Sequence, residues 1–154
     1  MTELQDIRDF LGRKRVAFVG VSRNPKDFTR TLFREFQRRG FDAVPVNPAV
    51  AEVEGVPCCA SLGEVRPPPE TALLLTSPAV TEQAVRDCAA AGVGMVWMYR
   101  ATGAGAVSQE AVRFCQSHGI RVVAGECPFM FLPDTGWFHR FHGFCKKIAG
   151  KYPR

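Results

Sequence analysis

The sequence predicts a doubly wound α/β domain, with a parallel sheet covered by helices on both faces in three layers. Three observations predict it. Short apolar runs of strand length recur at residues 16–19, 43–46, 71–75, 95–99 and 120–124. Segments with apolar residues at helical spacing separate most of them. The runs are apolar throughout instead of alternating, as expected of strands buried on both faces. Crossovers between such strands are right-handed, so the sheet winds in both directions from its middle.

The elements follow in order. Thr2 and Gln5 form a capping-box pattern ahead of Ile7, Phe10 and Leu11, which predicts an opening helix. Strand 16–19 ends at Gly20. Phe28, Leu32, Phe33 and Phe36 then mark a helix that stops at Gly40. Pro45 places the next strand at a sheet edge or a bulge, because proline lacks the donor an inner strand needs. Residues 56–59 read as a further, weaker strand in a mixed α+β alternative. A second capping-box match at Ser61–Glu64 and the break at Pro67, Pro68 and Pro69 follow. A helix starts near Ser77 and Pro78, where proline is accepted. Another runs from about 108 to 118 and ends at Gly119.

At 154 residues, with 46% hydrophobic and 23% charged, the composition fits one domain over 1–154, with a core at 11–128. It excludes a disordered tail, a collagen-like fibre and a disulfide miniprotein. No apolar run approaches the roughly 20 residues of a membrane-crossing helix. Acidic residues near the start, Glu3 and Asp6, stand where a signal peptide needs basic ones, so the expected location is cytoplasmic with all six cysteines reduced. A net charge of +5 suits an anionic ligand, and equally nucleic acid or an acidic membrane.

In a doubly wound sheet, ligands bind beyond the carboxyl ends of the strands where strand order reverses. The first strand flanks that point and continues as Gly20-Val21-Ser22-Arg23-Asn24-Pro25-Lys26-Asp27. Gly20 permits a tight turn, and the following helix start favours phosphate. Ser22 and Asn24 offer hydrogen bonds, while Arg23, Lys26 and Arg30 offer positive charge. An Asn-Pro turn with solvated basic residues explains the same segment, since Gly-x-Ser is a weak pattern. The second strand ends in Val46-Asn47-Pro48 with no acidic residue to grip ribose hydroxyls, which disfavours NAD.

The chain resembles the small CoA-binding domain proteins, relatives of the amino-terminal domain of the succinyl-CoA synthetase alpha subunit. The matching pieces are 16–26, Gly40-Phe41, 44–48, Gly55-Val56-Pro57, Ser61-Leu62, Thr76-Ser77-Pro78, 96–98, 119–123 and Cys127-Pro128, in order along the chain. The resemblance implies a Rossmann-like fold with CoA or acyl-CoA along the carboxyl edge. Gly20, Val21, Ser22 and the loop through Arg23, Asn24 and Lys26 would hold the diphosphate, with Arg30 adding charge. Val46, Asn47 and Pro48 would border the adenosine. Thr76, Ser77 and Pro78 would lie along the diphosphate or pantetheine, and the turn after Tyr99 near the outer end. Synthetase subunits carry Gly-Lys after the second-strand turn, where this chain has Ala49-Val50.

No nucleophile, base and orienter stand at spacings that demand catalysis, and the ligases' phosphohistidine domain has no counterpart by Arg154. The reading is therefore a stand-alone, non-catalytic CoA-binding domain. Its alternatives are the CoA-binding component of a multi-subunit ligase, and an interaction module. Cys127 is either a thiol near the sulfur of CoA or a small residue packing a turn. His118 complements a helix terminus. Residues 135–154 read as an amphipathic helical tail, with Trp137, Phe138, Phe141, Phe144 and Ile148 as its apolar stripe. His139, His142 and Cys145 carry no metal assignment. Arg140, Lys146, Lys147, Lys151 and Arg154 fit a docked helix with solvated bases better than a nucleic-acid surface. An exposed stripe would instead offer a surface for a homodimer through this helix.

Overall fold

The computed structural model describes residues 4–100 and 103–132. The expected carboxyl-terminal helix, with the His139, His142 and Cys145 set and the basic tail, lies outside the described residues. The elements are α1 (Leu4–Leu11), β1 (Arg15–Val19), α2 (Phe28–Arg38), β2 (Asp42–Val46), β3 (Glu52–Val53), β4 (Val56–Pro57), β5 (Thr71–Leu74), α3 (Pro78–Ala91), β6 (Met95–Met98), α4 (Gln109–Ser117) and β7 (Arg121–Ala124). Five strands form one parallel sheet in the order β2-β1-β5-β6-β7. The chain moves outward from β1 to β2, then returns past β1 to β5. Strand order therefore reverses between β1 and β5, which confirms the doubly wound, Rossmann-like arrangement.

Period-two side-chain direction divides the buried residues into two cores. Val16 and Phe18 of β1, Leu73 of β5 and Trp97 of β6 face α1 and α2, where Ile7, Phe10, Leu32, Phe33 and Phe36 await them. Ala17, Ala72, Leu74, Val96 and Met98 face α3 and α4, meeting Ala84, Val85, Cys88, Ala111 and Cys115. The first core is aromatic: Phe18 meets Phe33 at 5.1 Å and Phe36 at 5.0 Å, both edge-on. Each such pair adds about 0.5–1.5 kcal/mol beyond its buried area. The second core uses smaller side chains, among them Ala17, Ala72, Ala84 and Ala111. No helix among the described residues is long and apolar enough to cross a membrane.

Pro45 does sit on an edge strand. The apolar run at 56–59, in contrast, joins no five-stranded ladder. Its first two residues are β4, which pairs antiparallel with β3 through a turn at Glu54 and Gly55, where Glu54 adopts φ 49°. Only Cys59 reaches back, as an isolated parallel bridge to Val46. Residues 47–59 thus form a folded excursion whose two ends stand side by side at the exit of β2.

Candidate functional site

A cavity of about 330 Å³ opens at the carboxyl ends of β1, β2 and β5, on the side covered by α3. Val19 and Gly20 come from β1 and its turn, Val46, Asn47 and Pro48 from the end of β2, and Thr76 from the segment after β5. Topology brings these expected residues together. The remaining wall comes from Ala60, Ser61 and Leu62 beyond the excursion and from Val80, Gln83, Ala84 and Asp87 of α3. Those four helical residues fall at i, i+3, i+4 and i+7, the spacing that turns one stripe of a helix toward a common surface. The stripe was readable in the sequence. Its mixture of apolar and polar residues hid it, because neither a core nor a solvent face has that composition.

The turn between β1 and α2 is built differently from the expectation. Asp27 caps α2, and its Oδ1 accepts from the Thr29 amide at 2.8 Å and the Thr29 hydroxyl at 2.7 Å. Thr29 Oγ1 accepts from the Ser22 amide at 2.9 Å. Ser22 Oγ accepts from the Asn24 amide, and Asn24 Oδ1 from the Lys26 amide. Most donors of the loop are thus satisfied from within, and a carboxylate stands at the positive end of the helix. Arg23 and Lys26 remain exposed on this turn, and Val21 is buried in the first core.

Arg30 is held within the protein. Its side chain is 10% exposed and lies beneath the turn, with Nη1 donating to the carbonyls of Ser22 and Arg23, both at 3.3 Å. Its Nε and Nη2 are both 3.2 Å from Glu54 Oε1. Each guanidinium nitrogen therefore has a partner within the protein.

Gly20 also gains a second role. With φ at 94°, a Cβ there would stand 2.8 Å from the Leu75 carbonyl oxygen and 3.1 Å from Thr76 Cγ2. The glycine is required where the two strands diverge, before any ligand enters.

Across the sheet, α3 begins at Ser77, whose side chain makes no capping bond, with Pro78 in the first turn. Ser77 is exposed, and Thr76 Oγ1 pairs at 2.6 Å with the buried Thr81 hydroxyl. Tyr99 lies apart from the cavity, beyond β6 on the α2 side, 5.8 Å from the Phe28 ring. Burial first, and then the neighbouring Cys127 thiol, push its phenol above the usual range. Cys127 is itself 2% exposed, in the setting of a residue that packs a turn. His118 ends α4 with Nδ1 2.8 Å from the Phe114 carbonyl oxygen.

Residues 14–133 match the family described as CoA binding domain. The chain belongs to the CoA-binding domain family. A protein of Bacillus subtilis (strain 168), described as uncharacterized protein YneT, is 28% identical over 127 residues, covering 79% of this chain and 88% of its own length. A hypothetical protein from Pyrococcus horikoshii OT3 superposes with a TM-score of 0.74 at 28% identity, covering 80% of this chain and 85% of that one. The apo dinucleotide-forming acetyl-coenzyme A synthetase 1 of Ca. Korarchaeum cryptofilum matches at 26% identity with a TM-score of 0.62. That match covers 71% of this CoA-binding domain chain but only 25% of the synthetase.

Proposed function

We propose that this CoA-binding domain holds CoA or an acyl-CoA along the carboxyl edge of its sheet, as a stand-alone module that does not turn the ligand over alone. The observation that carries the reading is the cavity at the point of strand reversal, where a doubly wound sheet presents its ligand site. The adenine packs its faces against Val46, Leu62 and Ala84, while Gln83 and Asp87 meet its polar edge. The diphosphate crosses Gly20 toward the start of α3, where the side chain of Ser77 is uncommitted and the helix dipole is unopposed. Arg23 and Lys26 supply charge from the facing turn. In this arrangement the segment 76–78 contributes more to phosphate binding than the capped loop at 22–27.

Isothermal titration with CoA, using dephospho-CoA, NAD and ATP as comparators, tests the reading. Micromolar binding of CoA with weaker binding of NAD and ATP is the expected result. No binding of CoA would overturn it. The likeness to a quarter of the Korarchaeum synthetase chain favours a second reading, in which the domain lends its CoA site to a separate ligase subunit. Acyl-CoA formation that requires both proteins would distinguish that case.

A further inference from the structure

We infer that Arg30 is a positioning residue that locks together the two loops framing the ligand groove. The inference rests on the CoA reading for its functional meaning, although the mechanical coupling is independent of it.

The two loops belong to different crossovers. One is the β1–α2 turn at residues 20–27, and the other is the excursion at 47–59 that leaves β2 and returns beside it. They meet in two places. Near the cavity, Asn47 Nδ2 donates to the Val21 carbonyl at 2.9 Å. Away from it, the tip of the excursion is Glu54, held in a left-handed conformation at φ 49°. Glu54 Oε1 receives Arg30 through Nε and Nη2, both at 3.2 Å, and Arg34 Nη1 at 2.6 Å. The Glu54 carbonyl accepts from Gln37 Nε2 at 3.4 Å. Arg30 reaches deeper beneath the turn, with Nη1 donating to the Ser22 and Arg23 carbonyls, while the more exposed Arg34 donates from Nη1 to the Pro25 carbonyl at 3.4 Å.

Its guanidinium therefore bridges the tip of one loop and the backbone of the other, from a single planar group on α2. That planarity matters. The fork addresses a carboxylate along one edge and two carbonyls with its remaining nitrogen, whereas an ammonium is a point charge that cannot hold both directions. Removing the fork takes away the buried part of the bridge between the hairpin tip and the turn, leaving the exposed Arg34 at Pro25 and Asn47 at the cavity to link the two loops. The excursion returns through Cys59, bonded to Pro45 and Asn47, to Ala60, Ser61 and Leu62 of the cavity wall, so a tip held on α2 restrains the segment that leads into that wall.

The test compares Arg30→Lys with Arg39→Lys. Arg39 is similarly buried, with 12% side-chain exposure, and pairs with Glu35 at the other end of α2, far from the groove. Both variants are expected to lower Tm. Only Arg30→Lys is expected to weaken CoA about tenfold in titration. In hydrogen exchange without ligand, Arg30→Lys should raise exchange at 22–24 and at 52–57 together. With CoA added to the wild type, protection should extend to 52–57, and Arg30→Lys should lose that extension.

Should Arg30→Lys fail to fold, Glu54→Gln keeps the shape of the tip and removes its charge, and is expected to show the same coupled exchange. Unchanged CoA affinity in a folded Arg30→Lys, or a loss no larger than in Arg39→Lys, would overturn the inference. Independent exchange of the two loops would do the same. Failure of the wild type to bind CoA would overturn the ligand reading, and the coupled exchange without ligand would still report on the bridge.

Discussion

Two helices, α2 and α3, begin at the same edge of the sheet and on either side of the strand reversal, yet their first turns are chemically opposite. The start of α2 is closed by Asp27, which accepts from Thr29, which in turn accepts from Ser22. The start of α3 has an exposed serine at the cap with no side-chain bond. Equivalent topology does not confer equivalent function. A carboxylate at a helix start lowers the energy of the helix and cancels its attraction for a second anion, whereas an open start stores that attraction for a ligand. The effect is about 0.3–1 kcal/mol for an exposed charge, enough to choose between two sites of similar shape.

Three substitutions would break or sharpen this comparison. Gly20→Val is expected to have the largest effect, because it brings a side chain within 2.8 Å of the Leu75 carbonyl oxygen in a left-handed backbone. A loss of about 3 kcal/mol is expected, read as a lower urea midpoint, with CoA binding lost alongside the fold. A stable variant that merely fails to bind CoA would show that the glycine serves the ligand first. Val80→Asp comes next. Val80 is 53% exposed in the first turn of α3, so an added carboxylate suits the helix. Stability should hold or rise slightly while CoA binding weakens tenfold or more, which a pairing of Tm and titration would reveal. Equal affinity would move the phosphates away from α3.

Asp27→Asn should change least. Asparagine caps as well as aspartate, so Tm should move little, and CoA affinity should change less than about twofold. A tenfold gain would mean that the start of α2 faces the phosphates after all, and would reverse the assignment of the two helices.

Much of this fold was legible because its strands are buried on both faces and its helices carry strong periodicity. Phe28, Leu32, Phe33 and Phe36 announce α2, and Pro45 announces an edge. The hairpin of β3 and β4 was not legible, since two-residue strands have no period and the run Val56-Pro57-Cys58-Cys59 imitates a longer one. At the site, Gly20, Val46, Asn47, Pro48 and Thr76 come to line one cavity because each ends or follows a strand, a placement readable from the sequence. The burial of Arg30 was not legible because its partner Glu54 lies 24 residues away, and nothing local distinguishes a buried arginine from a solvated one. The self-satisfied turn could have been read more closely. Ser22, Asn24, Asp27 and Thr29 are all short polar residues that bond to nearby backbone, and four of them in eight positions favour a closed loop over a receptive one.

The return of Cys59 to the end of β2 has a consequence for the molecule's behaviour at high concentration. Along the outer side of that edge strand, Pro45 has no amide hydrogen and its carbonyl already accepts from the Cys59 amide at 3.0 Å. The Asn47 amide is likewise spent on the Cys59 carbonyl at 2.9 Å. A foreign strand approaching the carboxyl-terminal end of β2 meets rungs already occupied, which disfavours strand addition there. Among the described residues, the two edges of the sheet thus differ: β2 is partly closed by the chain's own return, whereas β7 ends the sheet on the other side.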